Sequence, residues 1–122
     1  MRFTQDSSSN SYLIRGYTPG ELRINDEVYR ETVIVGANAV LRLPEVRGTN
    51  DLAAAQAARI LELDPELVLL GTGPRQVFPA AAFRARFLSA GIGFEVMDTG
   101  AACRTFNVLV AEQRRVAALL MV

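Results

Sequence analysis

The sequence predicts an α/β fold in which a mixed central β-sheet carries helices packed on it and an additional N-terminal β layer. Two observations carry this. Residues 11–43 are a succession of short β-patterned runs separated by turn residues, the signature of an antiparallel layer. From residue 45 onward, apolar runs ("LVLLG", "FEVM", "RVAALLMV") alternate with segments of helical periodicity, which argues for a largely parallel sheet with crossover helices. No linker-like composition interrupts residues 45–122. The expected organisation is therefore a flexible, serine-rich N-terminus over residues 1–10 and one α/β domain over residues 11–122.

In chain order, "SYLIRGY" reads as a strand stopped by Thr18-Pro19-Gly20, where Pro19 fixes φ and Gly20 supplies positive φ. "ELRI" and "EVYRETVIV" flank Asn25-Asp26 as a hairpin, and "AVLRLP" ends the β region at Pro44. Thr49 or Asn50 is placed to cap a helix running to about Leu63, with Ala53, Ala57, Ile60 and Leu61 on one face. Asp64-Pro65 stops it. "LVLLG" is apolar throughout, as a strand covered on both faces must be. A second helix starts at Pro79 and shares Ala80, Phe83 and Phe87 on one face, with Arg84 and Arg86 toward water. "GIG" ends it before the strand "FEVM". A third helix spans about Gly100–Glu112 with Cys103, Phe106 and Val110 aligned, and "RVAALLMV" closes the chain as a strand. That last strand would pair edge to edge in a homodimer if left uncovered.

Composition excludes several chemistries. The 13 basic residues, all Arg, balance 13 acidic ones, so no overall field draws the chain to nucleic acid. There is no His and no Lys; imidazole bases, Schiff-base lysines and the P-loop lysine are absent. A lone cysteine, Cys103, forms neither an intramolecular disulfide nor a thiolate-rich zinc site. No metal and no cofactor is expected. Cys103 near Arg104 at a helix start has the setting of a lowered thiol pKa, but a small core residue is the simpler reading. No membrane-spanning run and no signal-peptide h-region is visible, so a cytoplasmic location is expected. Arg114-Arg115 reads as a solvated turn.

Two loops carry the chemistry. "LVLLGTGPRQ" and "FEVMDTGAACR" share one layout: an apolar strand, Thr-Gly, an Arg two to four residues on, then a helix. A glycine-rich phosphate loop would need a third glycine where Gln76 stands, so Gly71 and Gly73 also fit tight backbone geometry alone. Asp98-Thr99-Gly100 has the layout of an aspartic-protease triplet, but too little β-patterned chain follows Asp98 to build a flap and an underlying strand. Asp98 as helix cap fits better. With a right-handed crossover both loops open on one sheet edge, where open α/β sheets hold ligands. The candidate binding residues there are Gly71, Thr72, Gly73, Arg75, Gln76, Asp98, Thr99, Arg104 and Asn107. Arg75 and Arg104 would serve either as an anion site or as structural clamps on Asp98, Glu95 or backbone carbonyls.

"GTGPRQVFP" followed by "GIGFEVMDTGAACRTFNVLVAEQRRVAALL" resembles the small domain of unknown function shared by bacterial and archaeal proteins and by mitochondrial complex I assembly factor three. The resemblance spans residues 12–120. It implies a layered α/β fold with a mixed sheet and a small extra β layer, no established enzymatic activity, and a precedent for assembly through protein contacts. The family-typical positions here are Gly71, Thr72, Gly73, Arg75, Gln76, Pro79, Asp98, Thr99, Ala102, Arg104 and Asn107.

The reading favours a non-enzymatic, protein-binding, assembly-factor-like role, with no catalytic residues assigned and a protein partner or a small anionic ligand at the two loops. The alternative is a protein or enzyme that binds an anionic metabolite there, for which only Asp98, Glu95 or Cys103 would be available as reacting groups.

Overall fold

The computed structural model describes residues 11–122; the expectation of a flexible segment over residues 1–10 lies outside the described residues. Strands β1 (Ile14–Thr18), β2 (Glu21–Ile24) and β3 (Glu27–Tyr29) form an antiparallel sheet in that order. Gly20 (φ 89°) and Asn25 (φ 50°) make its two turns. A second sheet contains β4 (Val33–Gly36), β5 (Ala39–Arg42), β6 (Leu67–Thr72), β7 (Gly93–Met97) and β8 (Val116–Met121) in the order β5-β4-β8-β6-β7. Strand β6 is parallel to both β7 and β8, and β4 runs antiparallel to β5 and β8. The helices are α1 (Ala54–Leu61), α2 (Ala81–Leu88) and α3 (Thr99–Ala111). The fold is therefore the expected one: a mixed sheet, helices on it and a separate N-terminal layer.

Alternation along the strands sorts the core into two faces. Val68 and Leu70 of β6 and Ala117, Leu119 and Met121 of β8 join Ile60 of α1 and Phe83 and Phe87 of α2. Phe83, Phe87 and Phe94 form a ring cluster there, with centroids 5.2–6.0 Å apart. On the opposite face Leu69, Val116, Ala118 and Leu120 meet Ala102, Cys103 and Phe106 of α3, together with Ile14, Leu22 and Ile24 of the small sheet. Every residue of β8 is buried.

Four local expectations are corrected. "EVYRETVIV" is not one strand: it breaks at Arg30–Thr32 and passes from one sheet to the other. The Thr32 hydroxyl donates to the Val46 carbonyl at 2.6 Å and the Thr32 carbonyl accepts from Leu43 N–H at 2.8 Å, fixing the crossover. The helix expected from Asn50 is two elements. Asp51 accepts from Arg47 and Gly48 N–H to make a 3-10 turn over Thr49–Asp51, and α1 begins afterwards, where Gln56 accepts from Ala53 N–H. Strand β8 is central, paired on both edges, so it offers no edge to a second copy. Arg114 and Arg115 do more than face water: Arg114 Nε pairs with Glu66 at 2.5 Å, and Arg115 Nε donates to the Asp64 carbonyl at 3.1 Å. Among the described residues, no helix is long and apolar enough to cross a membrane.

Candidate functional site

Because β6, β7 and β8 are parallel, their carboxyl ends converge. Gly71 lies opposite Met97, and Thr72 lies opposite Met121. The two Thr-Gly loops leave the sheet at this edge and are joined directly. Thr99 N–H donates to the Gly73 carbonyl at 2.8 Å, and Gly73 N–H donates to Thr99 Oγ1 at 2.7 Å. The same hydroxyl donates to the Met121 carbonyl at 2.6 Å. Thr99 is fully buried, and its hydroxyl is satisfied as both donor and acceptor by two other chain segments.

Gly71 is set by close approach: a Cβ there would lie 3.0 Å from Leu120 Cδ2, 3.0 Å from Thr99 Oγ1 and 3.1 Å from Ala102 Cβ. Gly73 takes φ 89°, which a side chain would strain. Thr72 Oγ1 donates to the Arg75 carbonyl at 2.5 Å and accepts from Val77 N–H at 3.0 Å, folding the loop over itself. Gln76 Nε2 donates to the Val96 carbonyl at 2.9 Å, fastening that loop to β7. Asp98 caps α3 by accepting from Ala101 N–H at 2.9 Å, as its sequence context predicts. Asn107 grips β1: Nδ2 donates to the Ile14 carbonyl at 2.8 Å and Oδ1 accepts from Ile14 N–H at 3.0 Å.

The two arginines behave differently from these anchors. Both are exposed, and among the described residues neither guanidinium makes a hydrogen bond or ion pair, so the clamp reading does not hold. Nor do they share a cavity. Arg104 lines a recess of about 230 Å3 between β1 and α3, together with Arg15, Gly16, Tyr17, Gly100 and Cys103. Arg75 is not part of that lining; it stands on the other loop.

Cys103 is buried, and burial pushes its thiol up to about 12 against the opposing charge of Arg104. It is a core residue rather than a nucleophile. Burial likewise raises the Tyr17 phenol, which donates to the Val122 carbonyl at 3.4 Å. Among the described residues no group of three or more Cys, Asp or Glu is placed to hold a metal.

The sequence reading missed Val77 and Phe78. They follow Arg75 on the same loop and are 46% and 66% exposed, Phe78 being the most exposed large apolar side chain of the described residues. A signal was present: two apolar residues between a strand end and Pro79 belong to neither a strand nor a helix face. The reading also missed Arg15, which lies at a register shift between Ile14 and Gly16 and lines the same recess as Arg104.

The chain belongs to the family described as Protein of unknown function (DUF498/DUF598), whose model matches residues 14–121. It is 32% identical over 119 residues to NADH dehydrogenase (ubiquinone) 1 alpha subcomplex assembly factor 3 of Danio rerio, covering 96% of this chain and 68% of that protein. Over 122 residues it is 25% identical to the 13 kDa major membrane protein of Francisella tularensis subsp. holarctica, with 99% of each chain covered. Among solved structures it is similar to a Xanthomonas campestris protein determined by NMR, at a TM-score of 0.84 and 35% identity, covering 92% of this chain and 85% of that one.

Proposed function

We propose that this protein is a non-enzymatic, assembly-factor-like binding module whose loop 73–79 docks on a partner protein. The observation that carries the reading is the exposure of Val77 and Phe78 beside Arg75 on a loop fastened by Thr72, Gln76 and Thr99. An aromatic side chain next to an arginine is the composition that dominates binding energy at protein interfaces. A loop already held in one conformation loses little entropy when it binds. The unpaired Arg75 guanidinium calls for a carboxylate on the partner beside an apolar recess for Phe78. Similarity to an assembly factor of Danio rerio supports the class of function.

A photo-crosslinking residue at position 78, compared with one at the next most exposed large apolar position, Val108 of α3, tests this in extract of the protein's own cells. The expected result is a discrete protein adduct at position 78 that is lost when Arg75→Glu is added. Equal, diffuse labelling from both positions would remove the support.

A further inference from the structure

The recess between β1 and α3 is a second feature, on residues outside the docking loop. It is lined by Ile14, Arg15, Gly16, Tyr17, Gly100, Cys103, Arg104 and Asn107. Its two cations come from different elements, and neither has an acidic partner among the described residues. Arg15 reaches the recess because the register of β1 against β2 slips between Ile14 and Gly16; a bulge of this kind re-aims a side chain that regular pairing would turn elsewhere. Arg104 arrives from the second turn of α3. Its Nη1 lies 3.6 Å from where a Cβ on Gly100 would stand, so the guanidinium sits over the helix start.

The floor and spacing of the recess are also set. Thr99 N–H is taken by Gly73 and Ala101 N–H by Asp98. Gly100 N–H, on the recess wall, has no acceptor among the described residues. Asn107 holds β1 to α3 through both of its amide atoms, which fixes the backbones that carry Arg15 and Arg104. Asp98 is the acidic group at this helix start: its Oδ1 lies 3.3 Å from where a Cβ on Gly100 would stand, nearer than Arg104 Nη1, and is engaged with Ala101 N–H, so an anion here relies on both guanidiniums to offset it.

We infer that this recess binds a small phosphate monoester, its oxygens bridging the Arg15 and Arg104 guanidiniums and accepting from Gly100 N–H. A doubly charged tetrahedral group matches two forked cations approaching from different directions, and each forked contact is charge-assisted. A volume of about 230 Å3 admits a phosphoryl group with a short carbon chain.

The test is an amide-resolved NMR titration of the full chain with glycerol 3-phosphate, with inorganic phosphate and with vesicles containing phosphatidic acid as separate arms. The expected result is saturable movement of the Gly100 amide by glycerol 3-phosphate, with binding at least about tenfold weaker in Arg15→Gln and in Arg104→Gln. Arg84→Gln, on the exposed face of α2, binds like wild type. Retained binding in Arg15→Gln, no saturable Gly100 movement, or movement by vesicles alone each overturns the inference. Arg15 and Arg104 are exposed and their guanidiniums make no ion pair among the described residues, so both variants are expected to fold, and a preserved spectrum elsewhere verifies it. Failure here leaves the crosslinking result at position 78 untouched.

Discussion

Thr99 and Gly73 exchange two hydrogen bonds, one at 2.8 Å through the backbone of Thr99 and one at 2.7 Å through its hydroxyl. Two loops separated by a strand and a helix become one rigid edge through this pair, and the hydroxyl's further bond to Met121 locks them to the central strand. Thr99→Val removes both hydroxyl bonds and leaves the Gly73 N–H and the Met121 carbonyl unpaired. It is expected to cost about 2–4 kcal/mol, read from urea unfolding. Thr99→Ser keeps the hydroxyl and loses less.

Gly71→Ala would force a methyl into contacts of 3.0–3.1 Å with Leu120, Thr99 and Ala102. Overpacking of this kind is expected to cost about 1–3 kcal/mol. Gly48, at φ −157° with nothing within 4 Å of an added Cβ, is the control. Gly48→Ala changes stability by no more than about 0.5 kcal/mol.

Asn107→Ala strips Ile14 of both backbone partners outside its own sheet. Stability is expected to fall by about 1–3 kcal/mol. Hydrogen exchange at the Ile14 amide should accelerate more than exchange in β8, because the small sheet loosens while the central strand stays paired on both edges. Uniform acceleration would mean that Asn107 supports the whole fold.

Cys103 titrates near 9.0 when unperturbed and is pushed up to about 12 in the fold by burial. A raised folded value favours the protonated form, so its contribution is complete below about pH 9 and is lost as pH rises from there toward 12. Tyr17 and Tyr29 shift in the same direction. The difference between wild type and Cys103→Ala, measured by urea unfolding across that window, isolates the thiol. Native alkylation at pH 8 should be slow and limited by opening of the fold; rapid native labelling would show an accessible thiolate instead.

Much of the fold was legible because β6, β7 and β8 are continuous apolar runs and α2 and α3 keep helical spacing. The Asp98 cap was legible from a strand end followed by small residues. What was hidden involves competition between equally good local signals. Residues 27–35 carry unbroken β-propensity, and only the tertiary bonds of Thr32 reveal that the chain changes sheets. Asp51 and Gln56 both serve helix starts, so the chain makes a turn and then a helix where one helix seemed enough. In the site, Thr72, Thr99 and Asn107 were identifiable as polar residues at element ends, but sequence does not distinguish a hydroxyl that binds a ligand from one that binds Gly73 and Met121. Phe78 was hidden for the opposite reason: apolar character predicts burial, and its exposure follows only from the loop's geometry.

Whether loop 73–79 holds the partner is decided by the dissociation constant of the crosslinked partner, once purified, for wild type, Phe78→Ser and Arg75→Glu. Phe78 is 66% exposed, so Phe78→Ser leaves unfolding stability within about 0.5 kcal/mol of wild type. Binding at least about tenfold weaker, a loss of about 1.4 kcal/mol, is expected for each variant. Equal affinity for all three chains would contradict it.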